Sequence, residues 1–372
     1  MIEFLAILSG VLLVLGPGYL LWLRFGASPV DVAPPEPVHW PDVDILVPFY
    51  NEAPWLPGKL ANLLELDYPR EHLNVILVDG GSTDGGGDLA RRLAAPHPRW
   101  RVLQSTPPGK TAQLNAGLRF AWSRWVLVTD ADAHLPPDAL RRLVAQGESD
   151  PRVQVVGTRT QPVGPVSVER VHWNLLNRAR RREAARGFAL VTGPCYLFRR
   201  DLLRSYPSNV VADDVYATFQ AARSGCRVGL VNTQVTELRT ANSLCELARH
   251  KGRKADAYMR EILRFLPEAG SMPHPVRSMF LWRAAQFLLF PVLALLWVVL
   301  SVAWVAADAP ALLLAGAVLV AVALGASRLR AGLLLALLLS ASLLAALFTA
   351  PLARQRSTFR KVGVTQPASE KV

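Results

Sequence analysis

The sequence predicts an α/β domain with a mostly parallel sheet, placed between apolar segments at both ends of the chain. Two observations carry this prediction. Short apolar runs alternate with helical patterns from about residue 42 onward. The chain is 51% hydrophobic, yet its apolar residues concentrate at 4–23 and 279–353. The middle has an ordinary globular composition, so we expect one globular domain flanked by membrane segments.

The predicted strands and helices alternate along the middle of the chain. The strands are the short apolar runs Asp44–Val47, Asn74–Val78, Arg101–Leu103, Trp125–Val128 and Val153–Gly157. The helices are the amphipathic stretches Trp55–Leu66, Asp88–Ala94, Ala112–Trp122, Pro137–Ala145, Val166–Arg186 and Asp213–Arg223. Helices that connect parallel strands cover both faces of the sheet, which is the arrangement this alternation predicts.

The N-terminal segment predicts membrane attachment. We interpret residues 1–24 as a retained transmembrane anchor, because the chain start has no basic residue and no small-residue cleavage site follows the apolar run. Arg24 then places the next domain on the cytoplasmic side. Residues 25–41 are rich in proline and form a linker to the globular domain at 42–240.

The C-terminal third predicts further membrane contact. Residues 241–275 form one or two basic amphipathic helices, either at a membrane surface or as a solvated face of the domain. Residues 279–353 hold two or three transmembrane helices, from apolar runs near 280–306, 310–327 and 331–353. Three spans would place the basic tail at 354–372 outside the cell, against the positive-inside tendency, so the number of spans stays open.

Composition excludes several functional classes. The net charge is +12, but no nucleic-acid-binding pattern accompanies the basic clusters, so we expect contact with anionic membrane lipids and not with nucleic acid. Three widely spaced cysteines exclude a disulfide framework and a zinc site. Pro107–Thr111 lacks the first glycine of a P-loop, and Asp79–Gly87 lacks the ligand spacing of an EF-hand.

Carboxylates follow two of the predicted strands. Asp79 ends one apolar run, and Asp130 and Asp132 follow another. Open α/β sheets bind ligands at the C-terminal ends of their strands. Two carboxylates one residue apart can share a divalent cation that holds a diphosphate. These clusters indicate chemistry on a nucleotide-activated substrate.

Several short segments, in this order and spacing, resemble a membrane-bound inverting glycosyltransferase of family 2, with a Rossmann-like GT-A fold. They are Val47–Glu52, Val78–Asp84, Gly109–Lys110, Leu114–Gly117, Asp130–Asp132, Thr192–Gly193, Ala212–Asp214 and Arg249–His250. The resemblance covers about residues 42–255 and implies a hexosyltransferase. Ceramide glucosyltransferase and the chitin-oligosaccharide, hyaluronan and cellulose synthases are related to this family.

The resemblance implies roles at the donor half of the site. A nucleotide sugar would contact Pro48, Tyr50, Glu52, Asp79, Lys110, Asp130 and Arg249. Asp132, together with Asp130, would bind Mg²⁺ or Mn²⁺, which neutralises the departing diphosphate. Three of these residues have structural alternatives. Asp79 would also cap the next helix, and Lys110 and Arg249 would also serve structural or lipid contacts.

The acceptor half is implied in the same way. Asp214 matches the general base that deprotonates an acceptor hydroxyl, with its neighbour Asp213 as the alternative. Both also stand where a helix start alone would favour acidic residues. Gly193, Asp213 and His250 are the expected acceptor contacts. His250 replaces the Trp of the Gln-x-x-Arg-Trp pattern, and Gly80 replaces the family's second acid after Asp79.

The leading hypothesis is inverting transfer of a sugar from a nucleotide diphosphate, by family default a UDP-sugar, to a lipid or lipid-linked acceptor at the cytoplasmic membrane face. A processive synthase of an amino-sugar or glucose polysaccharide is one alternative. A non-catalytic membrane scaffold or transporter is another, disfavoured because the C-terminal apolar runs carry almost no charge. The sequence does not identify the sugar, the acceptor or the oligomeric state.

Overall fold

The computed structural model describes residues 1–25, 35–163, 167–241, 243–274, 276–308 and 327–350. Most of the predicted linker, nearly all of the apolar run at 310–327 and the whole basic tail lie outside these residues.

The described elements follow one another as helices and strands, with short connections. The helices are α1 Ile2–Leu13, α2 Tyr19–Arg24, α3 Leu56–Leu64, α4 Gly86–Ala94, α5 Lys110–Leu118, α6 Ala139–Glu148, α7 Ser167–Ala185, α8 Asp213–Arg223, α9 Leu244–Phe265, α10 Val276–Leu288, α11 Phe290–Asp308 and α12 Ser327–Thr349. The strands are β1 Val43–Phe49, β2 Leu73–Asp79, β3 Trp100–Gln104, β4 Trp125–Thr129, β5 Ala133–His134, β6 Val153–Pro162, β7 Cys195–Arg199 and β8 Arg227–Glu237.

The strands form one mixed sheet in the order β3-β2-β1-β4-β7-β6-β8-β5. The first four strands of this order are parallel, as predicted. Strand β7 then runs antiparallel to both β4 and β6, and β5 runs antiparallel to β8. The expectation of a mostly parallel sheet therefore holds for one half, while the other half is mixed. Strands β5, β7 and β8 were not predicted.

Helices cover both faces of the sheet, because successive strand residues point to opposite sides. Leu46, Val126 and Val128 face a core that includes side chains of α5, α8 and α9. Ile45 and Leu127 face a second core with α3, α4 and α6. Every residue of β1 is buried, as expected for a central strand that is covered on both faces.

The N-terminal segment Ile2–Arg24 is helical throughout and long and apolar enough to cross a membrane, as is α11. A π-helical turn at Val14–Gly18, which contains Pro17, joins α1 to α2. The Leu15 carbonyl accepts hydrogen bonds from the side chains of Gln286 (2.8 Å) and Trp282 (3.3 Å) on α10. The N-terminal helix and α10 are therefore tied together by polar bonds.

The predicted amphipathic segment is a single long helix, α9. The Ser243 hydroxyl caps its start by accepting a 3.2 Å hydrogen bond from the backbone N–H of Glu246. On its apolar side, Ala255 and Met259 pack against Ala346 of α12. Helix α9 thus lies between the sheet domain and the C-terminal apolar helix.

Candidate functional site

The candidate site lies where three parallel strands end side by side. Phe49 at the end of β1 is in register with Asp79 at the end of β2, and β4 ends at Thr129 on the other side of β1. The strand order reverses between β1 and β4, which is where open α/β sheets form a binding crevice. A cavity of about 600 Å³ opens at this edge.

The cavity is lined by most of the side chains that the sequence singled out. They are Pro48, Tyr50, Glu52, Lys110, Asp130, Asp132, Gly193, Asp213, Asp214 and His250. Asp79 and Arg249 are not among its lining residues. The fold therefore brings together residues from distant segments of the chain, as the resemblance implied, with two exceptions.

Asp79 has a structural task beside the cavity. Its carboxylate accepts hydrogen bonds from the backbone N–H (2.8 Å) and the hydroxyl (2.6 Å) of Ser82. The Ser82 hydroxyl in turn accepts a 3.0 Å hydrogen bond from the backbone N–H of Asn51. The Asn51 side chain accepts a further bond from the Thr83 N–H at 2.8 Å. Asp79 thus holds together the loops after β1 and β2, which form one wall of the site.

Asp130, Lys110 and Asp213 form a charged chain across the floor of the cavity. Lys110 Nζ lies 2.8 Å from Asp130 Oδ1 and 3.3 Å from Asp213 Oδ1. Burial opposes the charge of Lys110, but the two carboxylates outweigh it and raise the pKa of Lys110. Lys110 therefore stays a cation. It is the first residue of α5 and follows Gly109, whose φ of 122° requires glycine.

Gly193 marks the centre of this group. An ideal Cβ on Gly193 would lie 3.6 Å from Asp214 Oδ2, 3.6 Å from Lys110 Nζ and 3.8 Å from Asp130 Oδ2. Because Gly193 has no side chain, open space remains between the Asp130 carboxylate after β4, the Lys110 ammonium on α5 and the Asp214 carboxylate on α8. A polar substrate atom placed there would meet all three groups.

The two adjacent carboxylates at the start of α8 have different surroundings. Asp213 is 4% exposed and is bound by Lys110 and, at 2.7 Å, by the Tyr196 hydroxyl. Asp214 is half-buried and accepts a 2.9 Å hydrogen bond from the backbone N–H of Val215. Burial and the charge of Asp213 raise the pKa of Asp214 to about 6. Asp214 is therefore the better proton acceptor near neutral pH.

Asp132 faces a strong ion pair that the sequence did not predict. Arg239, just after β8, bonds the Glu52 carboxylate through two nitrogens and has its Nε 3.5 Å from Asp132 Oδ2. Burial and the charge of Asp130 raise the pKa of Asp132 to about 7. Burial and the repulsion between Asp130 and Asp132 therefore favour a proton or another cation bound at this pair of carboxylates.

The two aspartates suit a divalent cation that is shared with a ligand. Among the described residues, no group of three or more His, Cys, Asp or Glu side chains could hold a metal ion by itself. Mg²⁺ and Mn²⁺ prefer oxygen ligands, and Mg²⁺ is commonly held by one or two carboxylates together with substrate phosphates. Asp130 and Asp132 meet that requirement, so the residues present fit a metal–diphosphate complex.

Lys59 supports the acidic loop from below. It is 3% exposed, on the buried face of α3, and donates to the Thr129 hydroxyl and to the Ala133 carbonyl, both at 2.8 Å. These bonds span the loop that carries Asp130 and Asp132. Burial lowers the pKa of Lys59 to about 8.

Helix α9 contributes a different arginine from the expected one. Arg249 lies on an exposed part of the helix and outside the cavity lining, whereas Arg253, one turn later, lines the cavity with Lys254. The placement of Arg249 near a diphosphate stays a prediction, and Arg253, one helical turn later, is the arginine of α9 that lines the cavity. His250 does line the cavity. Burial and then Lys254 lower the pKa of His250 well below its usual range, so its ring is neutral.

Packing also explains why position 80 holds a glycine and not the family's second acid. A Cβ at this position would come within 2.7 Å of Gln113 Nε2. That amide nitrogen donates to the carbonyls of Phe49, the last residue of β1, and, at 3.1 Å, of Val78, the next-to-last residue of β2. Gln113 therefore occupies the space that an acidic side chain at position 80 would need.

Sequence reasoning missed several cavity residues. They are Arg180, Glu237, Arg239, Arg253, Lys254 and Arg283. Arg180, Arg253 and Lys254 lie in the basic clusters at 178–182 and 249–254, where the sequence does not show which charge enters a site. Glu237, Arg239 and Arg283 have no local pattern that separates a site residue from a surface charge. Strand β8 is different, because its buried valines alternate with more exposed residues, and this alternation is the sequence pattern of a strand.

Comparisons with known proteins agree with this geometry. Residues 44–206 match the family model for glycosyl transferase family 2. A mannosyltransferase from Pyrobaculum calidifontis, solved in complex with GDP-Man and Mn²⁺, has a TM-score of 0.78 to this structure. The match is 29% identical and covers 94% of this chain and 99% of that one.

Curated relatives match over shorter regions. An N-acetylglucosaminyltransferase of Mesorhizobium japonicum is 27% identical over 65% of this chain and 61% of its own length. An undecaprenyl-phosphate 4-deoxy-4-formamido-L-arabinose transferase of Pseudomonas fluorescens is 30% identical over 45% of this chain and 49% of its own. The chain thus spans about half to three fifths of these relatives. With the fold and the site, these matches identify residues 44–206 as a glycosyl transferase family 2 domain.

Proposed function

We propose that this protein transfers a sugar, with inversion, from a nucleotide diphosphate donor to a hydroxyl of a lipid or lipid-linked acceptor at the cytoplasmic membrane face. The observation that carries the proposal is the space around Gly193, where Asp214, Lys110 and Asp130 converge within 4 Å of one point. A carboxylate base, a cation and a metal-competent carboxylate are the groups that glycosyl transfer from a diphosphate requires.

The chemistry follows from these groups. The acceptor oxygen attacks the anomeric carbon while the bond from that carbon to the diphosphate oxygen breaks. Asp214 accepts the hydroxyl proton, and its raised pKa of about 6 suits that task near neutral pH. Lys110 offers positive charge beside the leaving group. A divalent cation held by Asp130 and Asp132 would supply the remaining charge neutralisation.

A membrane acceptor is supported by the other end of the cavity. Its lining includes Phe287 of α10 and Leu339 and Leu343 of α12. Helix α10 leads directly into the candidate span α11, and α12 contains the apolar stretch Ala336–Thr349. We infer that the domain, at about residues 42–240, lies at the membrane with its site open toward the lipid. The basic residue Arg24 at the end of the anchor favours the cytoplasmic side.

The test uses the purified full chain and a panel of donors that includes GDP-mannose, UDP-glucose and UDP-N-acetylglucosamine, with membrane lipid extract and Mn²⁺ or Mg²⁺. Asp132→Ala and Asp214→Asn should each abolish sugar transfer while the protein still folds and inserts. Retained transfer in either variant removes that residue's role. Mass spectrometry of the product separates single additions, which we expect, from long polymers, which would favour a processive synthase.

A further inference from the structure

Arg239 connects two walls of the cavity that both carry carboxylates. Its backbone is fixed beside Asp132, because the N–H of Leu238 donates a 2.8 Å hydrogen bond to the Asp132 carbonyl. Its guanidinium extends from there to Glu52, which lies 187 residues earlier in the chain, in the loop after β1. The side chain of Arg239 is 12% exposed, so it lies within the site and not on the protein surface.

Arg239 divides its charge unequally between these two carboxylates. Both of its terminal nitrogens donate to Glu52, one of them at 3.1 Å from Oε1. Only its Nε approaches Asp132, at 3.5 Å from Oδ2. Two charge-assisted hydrogen bonds to one carboxylate are stronger than one longer ion pair. The contact with Asp132 is therefore the one that another cation can displace.

The guanidinium of Arg239 has support that does not depend on Asp132. Its Cζ lies 5.6 Å from the centroid of the Trp55 ring, a distance at which a cation is attracted to an aromatic ring. The N–H of Trp55 donates a 2.9 Å hydrogen bond to the Glu52 carbonyl, so the ring and the Glu52 carboxylate belong to one turn of the chain. Arg239 can thus stay on this turn after it separates from Asp132.

The cations near the aspartate pair are already shared. Lys110 lies between Asp130 and Asp213, at 2.8 Å and 3.3 Å. Among the ion pairs of the described residues, Asp132 takes part only in the one with Arg239. A divalent cation at Asp132 would therefore meet a guanidinium on the same carboxylate, and the two positive charges would repel each other.

We propose that Arg239 competes with the divalent cation for Asp132 and thereby sets the metal affinity of the site. As the metal is bound, the guanidinium leaves Asp132 and remains on Glu52 and Trp55. The metal alone then binds weakly, whereas a nucleoside diphosphate adds negative charge that offsets the repulsion. This inference rests on the proposed function, because it concerns the metal that the proposed function uses.

Arg141 offers a matched control for Arg239. Its guanidinium also lies over an indole, 4.9 Å from the centroid of the Trp40 ring, and is also paired with two carboxylates, Glu36 at 2.7 Å and Asp67 at 3.0 Å. Arg141 is not among the residues that line the cavity. Arg141→Met therefore removes the same kinds of contact outside the site.

The experiment measures Mn²⁺ binding to the full chain in phosphatidylcholine nanodiscs without nucleotide, from the loss of the free Mn²⁺ signal in electron paramagnetic resonance. Changes to the outer partners of a metal ligand alter metal affinity by about 10–100-fold. We expect Arg239→Met to lower the Kd for Mn²⁺ about tenfold or more, because Asp132 loses its competing cation. Arg141→Met should leave the Kd unchanged.

A double variant separates competition from a general effect of charge. Arg239→Met combined with Glu52→Gln removes one charge of each sign, so the net charge of the site stays the same. It also leaves no Glu52 carboxylate that could bind the metal in place of Arg239. We expect this double variant to bind Mn²⁺ more tightly than the unmodified protein. It also decides the question if Arg239→Met alone does not fold because Glu52 is left without its partner.

Unchanged or weaker Mn²⁺ binding in the double variant would overturn the proposal. Weaker Mn²⁺ binding by Arg239→Met that occurs only when GDP or UDP is present would also overturn it, because Arg239 would then contact the diphosphate. Asp132→Asn is measured alongside. If Asp132→Asn binds Mn²⁺ as well as the unmodified protein, the metal role in the proposed function has failed. If Asp132→Asn loses Mn²⁺ binding while the Arg239 variants keep the unmodified Kd, only the role of Arg239 has failed.

Discussion

Replacing Gly193 with alanine tests the placement of the reaction without disturbing the fold. The new methyl group would lie 3.6–3.8 Å from Asp214, Lys110 and Asp130, which are ordinary contact distances. Gly193 is also not among the described residues with a positive φ, so alanine fits its backbone. We expect the free energy of unfolding to change by less than about 1 kcal/mol.

The effect on catalysis should be much larger. The methyl group fills the space in which the acceptor oxygen and the anomeric carbon must meet. A displacement of reacting atoms by about 1 Å costs on the order of 100-fold in rate, or about 2.7 kcal/mol. We therefore expect kcat/KM for sugar transfer to fall by about that factor, measured from initial rates with labelled donor, while the thermal unfolding temperature stays close to that of the unmodified protein.

Gly58→Ala is the matched control. Gly58 lies inside α3, and a Cβ there would meet nothing within 4 Å. Alanine should stabilise this helix by up to about 1 kcal/mol and leave the rate unchanged. A kcat/KM of Gly193→Ala within about twofold of the unmodified protein would refute the assignment of this space as the reaction site, because a methyl group could not be accommodated there during transfer.

Four further outcomes follow from the site. Burial raises the pKa of Asp214 to about 6, and a general base acts in its ionised form. We therefore expect kcat/KM to fall about tenfold per pH unit below that value and to level off above it. A flat pH profile of kcat/KM contradicts the role of Asp214 as the base. Asp132→Asn should raise the Mn²⁺ concentration for half-maximal binding, measured by calorimetry with the nucleoside diphosphate present, by at least about tenfold; unchanged affinity removes the metal role. Lys59→Met should lower the free energy of unfolding by about 1–3 kcal/mol, because the Ala133 carbonyl loses its donor, and an unaltered denaturation midpoint would show that the bond is unimportant. Gly80→Ala should be destabilising by about 1–3 kcal/mol through its 2.7 Å contact with Gln113, and the two-residue cycle with Gln113→Ala should show strong coupling; additive effects exclude the contact.

Three of the four parallel strands, β1, β2 and β4, could be predicted because they are buried on both faces. Such strands are continuous apolar runs, as in Val43–Phe49 and Trp125–Thr129, which stand out from their surroundings. The direction of β7 could not be predicted in the same way. A periodic pattern shows which residues are buried but not which way a strand runs, so the mixed half of the sheet required the structure.

Some residues of the site could be found from local sequence patterns, and others only from the structure. Asp130, Asp132 and Asp214 belong to local patterns at strand ends and helix starts, and the structure places all three in one cavity. Arg239 belongs to no local pattern, and Arg180 is one of four arginines at 178–182 that the sequence does not distinguish. Both line the cavity only through long-range packing. The choice between Arg249 and Arg253 needs the structure for a further reason. Residues four apart on a helix share a face, and only the position of α9 against the sheet shows which turn reaches the cavity.

The most direct test of the central claim is transfer of labelled sugar from a nucleotide sugar to extractable membrane lipid by the unmodified protein and by Asp214→Asn, with divalent metal present. The account predicts labelled lipid from at least one donor of the panel, a loss of about 1,000-fold or more in Asp214→Asn, and inverted configuration at the anomeric carbon. Equal labelling by the two proteins, or a product with retained configuration, would contradict it.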